Sequence, residues 1–103
     1  QDPYAVRCMP QVDGAVEDSE ITGRVALRSG PGDRFLATEQ LDPRAQVYTC
    51  DISPDRRWDG VVVVPGDGVE DCGVSSPMVN RQAYNGPCRS GWVRSDSLAV
   101  VAG

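Results

Sequence analysis

A chain of 103 residues, 40% hydrophobic and 24% charged, has the size and composition of one soluble domain with a small core. Its net charge is −5, its ten basic residues are all Arg, and their closest grouping (Arg56, Arg57) has Asp55 and Asp59 alongside; this excludes the basic stripe a nucleic-acid partner requires. With no His, neither a Ser-His-Asp nor a Cys-His site can be built, so the chain is expected to be no enzyme and to need no metal or cofactor.

Residues 1–20 read as acidic and irregular: QDPY and VDG are turn chemistry, and EDSE (Glu17 to Glu20) reads as a solvated loop. From Thr22 the pattern becomes β-like. In GRVALR, residues 23–28, Val25 and Leu27 alternate with polar neighbours. Ser29, Gly30, Pro31 and Gly32 then stop the alternation, and Phe35 follows. FLATEQL reads as an extended ribbon before Pro43. AQVYTC, residues 45–50, is a strand by its Val, Tyr and Thr content. DISPDRR makes a turn, and WDGVVVV, residues 58–64, is the strongest strand, packed on both faces. Together they predict an antiparallel hairpin.

Residues 65–90 are rich in Gly and Pro, show no period, and are long for a loop in a compact domain. GWV then resumes a strand, RSDS turns, and LAVV ends the pattern. No segment predicts a helix of ordinary length, and no apolar run approaches the length needed to span a membrane. Short strands punctuated by Gly and Pro indicate an all-β barrel or sandwich.

Cys8, Cys50, Cys72 and Cys88 form an even set with no C-x-x-C spacing. That favours disulfides over zinc or a redox motif, and with them an oxidising setting, secreted or periplasmic. Asp51, Asp55 and Asp59 recur every four residues, but across a turn entering a strand and outside the calcium-loop pattern. They read as turn acids.

The ordered motifs resemble the bacterial SH3-like domain. A strand ending in LRSGPG (Leu27 to Gly32) is followed by an aromatic, Phe35; a hydrophobic strand pair follows; then come GWV, a tight turn and a last apolar strand. The resemblance covers about residues 22–101 and implies a small SH3-like β-barrel occupying the whole chain as a single domain. Residues 1–21 would be an N-terminal extension, and residues 65–90 a long insertion before the penultimate strand. Both depart from the family pattern, and they fit Cys8–Cys50 fastening the extension and Cys72–Cys88 closing the insertion, one of three pairings four Cys allow. In the barrel reading the LRSGPG hinge is a corner with Leu27 and Phe35 turned inward and Asp33 and Arg34 on its rim.

The resemblance also implies a non-catalytic interaction module of the bacterial envelope, recognising a peptidoglycan peptide or an envelope protein. Its groove would lie between the hinge and a neighbouring loop, which points to Ser29, Pro31, Asp33, Arg34, Tyr48, Trp58 and Tyr84. With one Phe, two Trp and three Tyr and no acidic–aromatic cluster, the proline-rich ligands of the eukaryotic relatives are not expected. Two further functions are compatible with the sequence. One is a structural, self-associating subunit using Val74, Met78 and Val79 of the insertion; the other is an inhibitor presenting its closed loop to an envelope enzyme.

Overall fold

A computed structural model describes residues 3–8, 17–65, 72, 82–84 and 86–100. Val74, Met78 and Val79 lie outside the described residues. The fold is all-β and antiparallel. In chain order the strands are β1 (Arg7–Cys8), β2 (Glu17–Ile21), β3 (Val25–Arg28), β4 (Ala37–Leu41), β5 (Gln46–Ile52), β6 (Trp58–Val63), β7 (Gln82–Ala83), β8 (Ser90–Arg94) and β9 (Leu98–Val100). A single 3-10 turn, Ser95–Ser97, joins the last two strands. Seven strands form one sheet in the order β4-β3-β8-β6-β5-β2-β9, and β1 pairs with β7 in a separate two-stranded sheet. The expected closure into a barrel is not seen in the pairing: among the described residues β4 and β9 remain edges.

Each face of the sheet carries a cluster of buried residues. On one face Ile21, Leu27, Leu41, Val47, Val61, Val63 and Val93 form a buried aliphatic core. Removing such a side chain from water contributes about 1.5–3 kcal/mol. On the other face Trp58, Val62 and Trp92 pack with Val6 and all four cysteines. The pleat of β6 explains the double burial: Val61 and Val63 point one way, Trp58 and Val62 the other.

The second core exists because the extension and the insertion meet. Arg7 pairs with Ala83 and Cys8 with Gln82, and the Tyr84 N–H donates to the Val6 carbonyl at 2.7 Å. Together these segments form a cap over β5, β6 and β8. The disulfides are Cys8–Cys50 and Cys72–Cys88. One joins the cap to the sheet, and the other closes the insertion on itself.

A bulge in β5 prepares the first of these joints. Thr49 faces Val61 and Asp51 faces Gly60, so Cys50 is the additional residue between them. Cys50 thereby reaches Cys8 while Asp51 accepts the Arg7 N–H through Oδ2 at 3.0 Å. Gly60 makes this close approach feasible: a Cβ there would stand 2.8 Å from the Asp51 Cβ and 3.1 Å from a Val6 methyl.

Two expectations are corrected. EDSE is no solvated loop. It is most of β2, paired with β5 on one side and β9 on the other. Asp, Glu and Ser have poor strand propensity, but a strand with partners on both edges is held by its ladder, and Ser19 and Ile21 are buried in it. The Ser19 hydroxyl is satisfied by the Thr49 hydroxyl at 3.2 Å. Phe35, expected inward beside Leu27, belongs to neither core. Its ring lies flat on Gly30, where an added Cβ would come within 2.4–2.6 Å of it, and the Tyr4 ring meets it edge-on at 4.6 Å.

Candidate functional site

An open cleft of about 520 Å³ runs between three segments remote in sequence, a size typical of ligand sites. Pro3, Tyr4, Ala5 and Arg7 form one wall, Pro31 of the hinge a second, and residues 51–54 with Arg56 the third; Trp92 lies at the base.

Each wall is braced by hydrogen bonds of its own. The first is held where the Trp92 indole N–H donates to the Tyr4 carbonyl at 2.7 Å, and by the Asp51–Arg7 contact and the Cys8–Cys50 bridge just beyond it. The hinge is organised from inside by Arg28, whose guanidinium donates to the carbonyls of Asp33 and Phe35 at 3.1 and 2.9 Å. Ser29 N–H closes the loop onto the Leu36 carbonyl at 2.9 Å.

The third wall is the β5–β6 hairpin turn. Ser53 occupies its centre: its hydroxyl donates to Asp55 Oδ1 at 2.6 Å and accepts the Trp58 N–H at 3.1 Å. Asp55 Oδ1 also accepts the Arg57 N–H at 3.0 Å. These contacts, the Ser53 hydroxyl above all and then the Arg57 amide, hold the Asp55 carboxyl below the usual carboxylate range. The turn closes with Arg56 at φ 62°, in the left-handed region. Ile52, 46% exposed, presents an apolar side chain at the cleft.

Asp51, Asp55 and Asp59 do not converge. Asp51 turns to backbone amides, Asp55 to Ser53 and Arg57, and Asp59 to the Ser95 hydroxyl. Among the described residues no three acidic or Cys side chains are placed to hold a metal ion.

The seven residues selected from sequence fall into two places. Ser29, Pro31, Asp33 and Arg34 lie together on the hinge, and Pro31 lines the cleft. The Arg34 guanidinium sits 5.0 Å from the Phe35 ring centre, and Asp33 pairs with Arg94 at 3.6 Å. Tyr48, Trp58 and Tyr84 pack instead in the disulfide layer. Trp58 is buried there with the Arg94 guanidinium 5.7 Å from its ring centre, and the Tyr84 hydroxyl is engaged by Cys72 and Cys88. Of the residues lining the cleft, sequence reading selected Pro31 alone; those it did not select include Tyr4, Arg7, Ile52, Pro54, Arg56 and Trp92. Ile52 carried one usable signal, a large apolar residue inside the polar run DISPDRR.

A second cleft of similar size lies between β4 and residues 63–65. The Arg89–Glu39 ion pair neutralises charge on its wall. Comparison of the chain with protein-family models, with curated proteins and with solved structures gives no match.

Proposed function

We propose that this chain is a non-catalytic binding module of the bacterial SH3-like type, working in the cell envelope. It holds a short extended peptide, from the cell wall or an envelope protein, in the cleft between the N-terminal segment, the hinge and the β5–β6 turn. The observation that carries this reading is the construction of that cleft: three separately braced walls, with the apolar side chains of Ile52 and Trp92 among its lining. Walls fixed before binding reduce the ordering entropy a ligand must offset. The order of motifs, with the hinge at one wall and GWV supplying the base, supports the family assignment. Two disulfides support an oxidising, extracytoplasmic setting. Among the described residues no helix is long and apolar enough to cross a membrane.

The test is retention on purified peptidoglycan, comparing the unmodified chain with Ile52→Asp. Ile52 is exposed enough for the change to spare the cores, so retention should fall while the fold persists. No retention of the unmodified chain at any salt concentration would remove the cell-wall ligand. Equal retention of both proteins would remove the cleft.

A further inference from the structure

In a chain of net charge −5, two exposed arginines, Arg7 and Arg56, line this cleft, while Arg44 lines the other. Arg24, Arg28, Arg34, Arg89 and Arg94 each set the guanidinium against a carboxylate, a carbonyl or a ring. Arg7 and Arg56 are exposed and line the cleft, and neither guanidinium has an ion pair or hydrogen bond among the described residues. Asp51, the carboxylate beside them, turns its oxygens to the backbone N–H groups of Arg7 and Ile52. Arg56 occupies the left-handed region, as does Arg44 on the other cleft, so backbone conformation does not distinguish the two.

We infer that the cleft takes an acidic peptide, an extended segment whose carboxylate side chain meets Arg7 and Arg56 while an apolar neighbour packs on Ile52 and Trp92. Guanidinium groups suit this partner because their N–H donors match a carboxylate's two oxygens. The low-dielectric floor beside them strengthens the attraction relative to open water. The proposal rests on the peptide-binding reading above and specifies its ligand chemistry.

The probe is a capped hexapeptide with two glutamates flanking a proline–leucine pair, compared with its glutamine twin. Each is titrated into the isotope-labelled full chain with both disulfides formed, following the Ile52 and Arg56 amides and the Trp92 indole by NMR. The glutamate peptide should shift these signals, and added salt should weaken it. The glutamine twin, or either Arg7→Gln or Arg56→Gln, should bind about three- to tenfold more weakly. Arg44→Gln, on the other cleft, should bind as the unmodified chain does. Equal binding of the twin at the same residues would overturn the acidic preference and leave the peptide-binding reading standing. Shifts confined to the second cleft, or none with either peptide, would overturn the inference. If peptidoglycan retention were also absent, both it and the peptide-binding reading would fall.

Discussion

Tyr84→Phe removes one oxygen atom, and that atom braces both ends of a disulfide loop. The Tyr84 hydroxyl donates to the Cys72 carbonyl at 2.7 Å and accepts the Cys88 N–H at 3.1 Å. Neutral hydrogen bonds contribute about 0.5–1.5 kcal/mol each, and a polar group left unpaired away from water costs about 1–3 kcal/mol. Cys72 and Cys88 are 4% and 9% exposed, so water replaces the lost partner only in part. A destabilisation of about 2 kcal/mol follows, since two bonds are lost and neither group is fully resolvated. For a domain of this size that lowers Tm by about 8–16 °C. Urea unfolding of the oxidised protein should show a lower midpoint at unchanged slope, because the surface exposed on unfolding is the same. The Cys88 amide should also exchange faster with solvent. A loss under about 0.5 kcal/mol, with Cys88 exchange unchanged, would refute the brace.

The disulfides should differ in worth by loop length: replacing Cys8 and Cys50 by Ala, separation 42, should cost about 4 kcal/mol, and replacing Cys72 and Cys88, separation 16, about 3 kcal/mol, both read by urea unfolding. A larger loss from the second pair would contradict the loop-length account. Because its pKa is lowered in the folded chain, Asp55 adds stability above its unfolded pKa that disappears as pH falls through the lower folded value. Ser53→Ala should return the Asp55 titration toward the ordinary carboxylate range, and an unmoved carbon-13 titration would mean another group sets it. Arg56→Gly should stabilise the fold by about 0.5 kcal/mol, relief of left-handed strain outweighing the entropy Gly adds to the unfolded chain. A lower urea midpoint would show that the turn depends on the Arg side chain.

Strands β3, β5, β6, β8 and β9 were legible because each carries its own apolar pattern, and β4 because a proline and a hinge bound it. β2 was hidden: its identity as a strand comes from neighbours about 30 and about 80 residues away in the ladder (Ser19 to Val47 and to Val100 among them), not from its own side chains. β1 and β7 are two residues each, too short to show any period, and exist because they pair with one another. Aromatic identity marked Tyr48, Trp58 and Tyr84 as large surfaces needing a partner, and the cap that supplies it could not be placed from sequence. The cleft was obscure for the same reason. Its walls come from residues 3–7, Pro31 and residues 51–56, and no local pattern connects them.

Neither disulfide crosses from the extension to the insertion: one joins Cys8 to the sheet and the other joins the insertion to itself. Where β1 meets β7 the described contacts are noncovalent, the paired backbones and the Tyr84-to-Val6 hydrogen bond. That line is a seam. On one side of it Cys8 is bonded to Cys50 of the sheet, and on the other Cys72 is bonded to Cys88. No sulfur–sulfur bond spans that line, so hydrogen exchange of the Tyr84 amide, which donates across it, reads its strength apart from the disulfides.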